Sequence, residues 1–258
     1  MKWILIAIAS AGIIGLSFIA KSKTISAAKE TKSTSVTGSY APVAVLELFT
    51  SEGCSSCPSA DKLLPQLAKL DSNIIPLSFH VDYWNRLGWT DQFSSSEYSE
   101  RQRSYAKQLN LESVYTPQLV VNGEYELVGS NRANAETAIK KALKEKSQVQ
   151  IDISDVKITG NKVSFTSMAS GDFKKTDLLA VLIQKQATTK VRAGENGGAT
   201  LSHINIVRAF SSQGAAQKNI FELIIPEKLT MDDWQLIVYA QQKSDLKITG
   251  ATLYKPLL

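Results

Sequence analysis

Cys54 and Cys57 are the only two cysteines in a chain of 258 residues, and they stand three apart in "TSEGCSSCPSAD". Two thiols at that spacing can close a local disulfide, share a soft metal ion, or exchange disulfides with a partner. A bridge over so short a loop restricts the unfolded chain little, which argues for chemistry over stapling. What the pair does then depends on how easily one thiol ionises, and so on its surroundings.

The surrounding pattern supplies a setting. Residues 43–49, "VAVLELF", read as an apolar strand, and Leu63, Leu64, Leu67 and Leu70 recur at helical spacing after Cys57. The intervening loop delivers Cys54 at or just before a helix N-terminus, where unpaired N–H groups and the helix dipole favour an anion. Pro58 suits an early helical position because its missing donor costs nothing there. Cys54 is therefore expected to be the attacking thiol and Cys57 the resolving one. Ser55 and Ser56 bring no positive charge, and the acids Glu52 and Asp61 oppose a thiolate, so only a moderate lowering of its pKa is expected.

Downstream, "IIPLSFHV" (74–81) reads as a second strand, 95–109 as a helix, "QLVVNGEYELVG" (118–129) as a hairpin about Asn122-Gly123, and 133–146 as a closing helix. The order is β-α-β-α-β-β-α. With the first two strands parallel and the third antiparallel, "TSEGC", "HVDYWN" and Thr116-Pro117 meet at one sheet edge. His80, Asp82, Tyr83 and Trp84 are thus candidates to line a mouth around Cys54, with "RLGWTDQF" as a lid-like connection. His80 suits either proton transfer or, with Cys54 and Cys57, a site for copper or zinc. Tyr83, Trp84, Trp89 and Phe93 read as a packing cluster under that connection.

Beyond residue 147 the helical period gives way to about seven strand-like runs, which predicts a β-sandwich-like domain over 148–258. Its loop "VRAGENGGATLSH" has glycines too scattered for a phosphate loop.

Two resemblances add to this reading. "LFTSEGCSSCP" with the later "TPQLVVNGEYELVG" resembles the thioredoxin superfamily, glutaredoxins above all in Thr116-Pro117-Gln118. That resemblance implies an α/β thioredoxin-like domain over 42–147, with a cis bond before Pro117 that faces the cysteines and presents a partner's backbone to them. It also makes Glu47, inside the first strand, a further candidate aid to proton transfer, by likeness to the buried acid of thioredoxins. The blocks "LELFTSEGCSSCPSAD", "HVDYWNRLGW", "YTPQLVVNG" and "GENGGATLSHINIVRAF" are similar to those of the secreted bacterial family catalogued as domain of unknown function 1223. This second likeness implies that Arg192, Glu195, Asn196, His203 and Arg208 dock on the active-site edge or bind a ligand.

The chain opens "MKWILIAIASAGIIGLSFIAKSK", with a lysine before an apolar run, and residues 1–28 are expected to be a signal peptide or N-terminal anchor. Residues 29–41 are polar and Ser/Thr-rich, as in a flexible linker. The formal charge of +5 owes three lysines to the leader, so it makes no case for nucleic acid. The expectation is an exported protein, periplasmic, cell-surface or secreted, acting as a thiol-disulfide oxidoreductase without an organic cofactor. Its partners would be a protein or small-molecule thiol or disulfide and, since the chain has no second pair, a separate redox-recycling protein. A soft-metal module built on Cys54, Cys57 and His80, and a non-catalytic binding scaffold, are the alternatives. Membrane contact is expected only through an N-terminal anchor.

Overall fold

The computed structural model describes residues 40–254; the leader and most of the linker lie outside them. The order of elements through residue 142 follows the periodicity of the sequence. Strand β1 (Ala44–Thr50) leads to helix α1 (Cys57–Leu67), strand β2 (Ile74–His80), helix α2 (Ser96–Gln108), strands β3 (Gln118–Val121) and β4 (Tyr125–Val128), and helix α3 (Arg132–Ala142). Seven strands follow: β5 (Val149–Thr159), β6 (Lys162–Gly171), β7 (Thr176–Lys190), β8 (Thr200–Gly214), β9 (Lys218–Ile224), β10 (Trp234–Gln242) and β11 (Ile248–Leu253).

The strand pairing corrects the expected fold class. A thioredoxin-like α/β domain followed by a separate β-sandwich would keep the two sets of strands apart. Instead one eight-stranded mixed sheet runs β11-β10-β7-β8-β2-β1-β3-β4, joining strands from both halves, and only β5-β6-β9 form a second sheet. The described residues are mostly β, at 46% strand and 18% helix. The physical reason is that β2, unlike an edge strand, is flanked on both sides, by β1 and by β8 in parallel.

That seam is stitched by side chains. Pro76 in β2 has no N–H to give a ladder. Its carbonyl accepts from Asn205 Nδ2 at 2.9 Å, and Ser78 Oγ donates to the Ile204 carbonyl at 2.9 Å. Asn205 takes a left-handed conformation, φ +47°, to which asparagine is better suited than most residues.

Three cores result. On one face of β1 and β2, Val45, Phe49, Leu77 and Phe79 pack with Tyr98 and Tyr105 of α2 and with Val181, Ile237 and Tyr239 of β7 and β10. On the other face Leu46 and Leu48 meet Leu63, Leu64 and Leu67 of α1 and Ile139 of α3. The three-stranded sheet covers Leu182, Leu236 and Val238 through Val163, Phe165 and Phe221. The large sheet wraps far enough for its distant parts to touch, as Ile248 N–H donates to the Asn122 carbonyl at 2.9 Å. Gly123 in that turn has φ +70°, and a Cβ there would fall 2.0 Å from the Leu246 carbonyl oxygen, so the approach requires glycine.

Candidate functional site

Strand parity decides what reaches the cysteines. Successive side chains alternate faces, so Thr50 points with Leu48 toward α1 while Glu47 points the other way. Thr50 is in register with His80 on the parallel neighbour, which puts these two side chains together beneath the start of α1. The loop after β1 is fixed locally: Cys54 N–H donates to the Ser51 carbonyl and Cys57 N–H to the Cys54 carbonyl, both at 3.2 Å. Cys57 opens α1 with Pro58 next, and Cys54 precedes the helix.

Cys54 and Cys57 form a disulfide, with Cα atoms 5.4 Å apart, and both residues are wholly buried while Ser55 and Ser56 are exposed. Thr116-Pro117 is a cis bond. The Thr116 carbonyl lies 3.8 Å from Cys54 Sγ and accepts from Ser56 Oγ at 3.3 Å, and Trp84 Nε1 donates to Thr116 Oγ1 at 2.8 Å. The structure thus brings Cys54, Cys57, Thr116, Pro117 and Trp84 together. Asp82 and Tyr83 turn instead to α2, where Asp82 pairs with Ser99 and Tyr83 donates to Gln102.

A strap from the other half of the chain closes the site. Between β7 and β8, Glu195 Oε2 accepts the Ser55 N–H at 3.0 Å, and Asn196 Nδ2 donates to the carbonyls of Glu52 and Cys54 at 2.9 and 2.8 Å. Arg192 is exposed, and Arg208 lies over the Phe93 ring at 5.0 Å rather than at the cysteines.

Behind the pair lies a buried ionic cluster. His80 Nδ1 bonds Asp91 Oδ2 at 2.7 Å, and the same oxygen accepts the Glu52 N–H at 2.8 Å. His203, from β8, stacks edgewise on His80 with ring centres 4.7 Å apart. Its two nitrogens face Asp61 Oδ2 at 3.5 Å and Glu52 Oε1 at 3.8 Å. Thr50 Oγ1 donates to the other Asp61 oxygen at 3.0 Å and Trp89 Nε1 to the other Glu52 oxygen at 2.8 Å. Five side-chain atoms stay without a hydrogen-bond partner: Glu52 Oε1, Asp61 Oδ2, His80 Nε2 and both nitrogens of His203.

The electrostatics follow from these neighbours. For His203, burial works against the charged ring, but the carboxylates of Asp61, Glu52 and Asp91 outweigh it and raise its pKa above the ordinary value. For Asp91, burial opposes ionisation, but His80 and the N–H groups of Glu52 and Phe93 hold its carboxyl below the ordinary range. His80 bonds Asp91 through Nδ1, and the two sulfurs bond each other. Among the described residues, no group of three or more His, Cys, Asp or Glu side chains is arranged to hold a metal ion.

Glu47 belongs elsewhere. It is buried on the opposite face of β1 with Arg101, Tyr105 and Tyr239. Asp91 as a member of the cluster, and Glu52 and Asp61 as partners of a histidine, escape a reading of the sequence. The one available signal was Asp61, four residues after Cys57 and so on the same helix face.

Among solved structures the chain is similar to protein AGR_C_4864 from Agrobacterium tumefaciens, with a TM-score of 0.62 and 28% identity over 84% of this chain and 97% of that one. It is also similar in fold to HBP35 of Porphyromonas gingivalis, with a TM-score of 0.60 and 13% identity over 84% of this chain and 76% of the other. No curated protein matches it. The family described as "Protein of unknown function (DUF1223)" matches residues 45–241, and the chain belongs to that family.

Proposed function

We propose that the protein exchanges disulfides through Cys54 and Cys57, as an exported thiol-disulfide oxidoreductase. The observation that carries this reading is the position of the bridge, at the start of α1 with the cis Thr116-Pro117 segment against Cys54 Sγ. A leaving thiolate at that helix end meets the positive end of the helix dipole, which stabilises it. Cys54 would form the mixed disulfide and Cys57 would resolve it. The partner would be a protein or small-molecule thiol or disulfide, with a separate protein to recycle the pair. Since both sulfurs are buried, a partner reaches them only when the loop around Ser55 or the strap through Glu195 and Asn196 moves aside.

The test is a redox titration against dithiothreitol and glutathione mixtures, following the two thiols by mass labelling. The expected result is one reversible two-electron transition within roughly −270 to −120 mV, the span of known exchange proteins. A pair that stays oxidised below about −300 mV would instead be a structural bridge. Among the described residues, no group of three or more His, Cys, Asp or Glu side chains supports the alternative copper or zinc reading.

A further inference from the structure

The chain has two histidines in all, and both are buried with their rings in contact, among three buried carboxylates. Buried polar atoms are nearly always paired, and an exception calls for a cause such as a redox or catalytic role. Here five unpaired atoms share one place. Three of them are the two nitrogens of His203 and Asp61 Oδ2, and a fourth is Glu52 Oε1. They line up so that the imidazole bridges two carboxylates with gaps of 3.5 and 3.8 Å.

Each end of that bridge abuts a cysteine in the chain. Glu52 is two residues before Cys54, in the loop pinned by Asn196. Asp61 is one helical turn past Cys57 on the buried face of α1, and residues four apart on a helix are neighbours. We propose that the Glu52, His203 and Asp61 array holds the proton that Cys57 takes up when the disulfide opens. The inference rests on the exchange reading above.

The step balances with a small dithiol as reductant. One thiolate of the dithiol attacks Cys54 Sγ, the sulfur-sulfur bond breaks, and its electron pair leaves on Cys57 Sγ. The array passes one proton to Cys57 by way of Asp61 and regains one from solvent. The second thiol of the dithiol loses its proton to solvent and attacks the mixed disulfide, closing the oxidised ring and releasing Cys54 as a thiolate. The dithiol is oxidised by two electrons and the protein reduced by two.

Every charged group around His203 fits a store of this kind. Asp61 from α1, Glu52 from the loop after β1 and Asp91 from the segment before α2 favour its protonated form. His80 from β2 is neighbour to the ring and is engaged by Asp91. Arg208 packs over the Phe93 ring, which also contacts the imidazole.

The test is the rate of reduction of the full chain by dithiothreitol from pH 5 to 9, divided by the fraction of reductant thiolate. Wild type should show a corrected rate that falls about tenfold per pH unit above the pKa of the array. His203→Asn should be flat with pH and about 100-fold slower at pH 6, the scale of general-acid assistance. Asp61→Asn, closer in shape, should give the same flattening if the histidine variant does not fold. On the wild type alone, the His203 ring signal in NMR should titrate at a different pH in the oxidised and reduced protein. A corrected rate independent of pH in wild type, or an identical His203 titration in both redox states, overturns the inference while leaving exchange intact. No reduction at any pH sinks the exchange reading and this inference with it.

Discussion

Two buried ionic clusters lie on opposite faces of β1, only a few residues apart, and they are finished to different degrees. Around Glu47 every polar atom has a partner. Arg101 grips both carboxylate oxygens at 2.8 and 3.0 Å, Tyr105 and Tyr239 donate to the same carboxylate, and Gln241 joins Arg101 to Tyr105. Around His203 five atoms have none. The first cluster joins α2 and β10 to β1, and a saturated network of this type fixes one arrangement. The second keeps spare donors and acceptors directly behind a disulfide. A saturated buried network holds one position, whereas buried groups left unpaired call for a role other than packing.

The comparison is broken most forcefully at Arg101. Arg101→Met leaves Glu47 as an unpaired buried charge and should cost about 3–5 kcal/mol, read by urea unfolding. The surviving folded fraction should reduce its disulfide at the wild-type rate. Loss of the exchange rate with no loss of stability would reverse the roles assigned to the two clusters.

His203→Asn should cost less, about 1–3 kcal/mol at neutral pH, because its gaps of 3.5 and 3.8 Å to Asp61 and Glu52 are long and each carboxylate keeps another donor, Thr50 and Trp89 respectively. Its effect should depend on pH. The folded pKa of His203 is raised, so its protonation contributes stability in full below the unfolded value of about 6.5 and loses it as pH rises through the folded value. Wild type should therefore be more stable than the variant at pH 5 by a margin that shrinks by pH 9, measured by chemical denaturation at both. An equal margin throughout would show that His203 does not change charge.

Asp91 works in the other direction. Its carboxyl is held low, so its contribution is present above the unfolded value of about 3.9 and is lost as pH falls through the folded value. Asp91→Asn should flatten the acid limb of the stability curve below about pH 4. An unchanged acid limb would leave His80 and Asp91 without the coupling their 2.7 Å contact implies.

The smallest effect is expected at the strap. Asn196→Ala removes two hydrogen bonds to loop carbonyls and should cost about 1–2 kcal/mol. It should also hasten reduction by small thiols by exposing the sulfurs. A slower reduction would mean that Asn196 positions the loop for attack rather than covering it.

Much of this was legible in the sequence, though unevenly. The cysteine spacing, Pro58 and the leucine period of α1 placed the pair at a helix start, and Thr116-Pro117 was identified by resemblance as its neighbour. Those features are local or carried by contiguous motifs. The pairing of β2 with β8 was not legible, because an apolar strand such as "IIPLSFH" announces burial on both sides and not the identity of its neighbour. The expectation of two separate domains failed at that point. Glu47 was misplaced because a buried acid in a strand reads alike on either face until the register is known. Asp91 and His203 reach the site from 11 and 123 residues beyond His80 respectively, across contacts that no spacing rule encodes.

The strap has a consequence for how such a protein can be divided. Residues 191–199 lie between β7 and β8, and β8 then runs beside β2, carrying His203 to the carboxylates of Asp61 and Glu52 that flank the cysteines in the chain. A fragment ending near residue 147 would retain both cysteines and Pro117, yet present β2 as a bare edge and lose the imidazole bridge. Neither half is a portable cassette. The unit that must be transplanted, inherited or lost together is the seam between them.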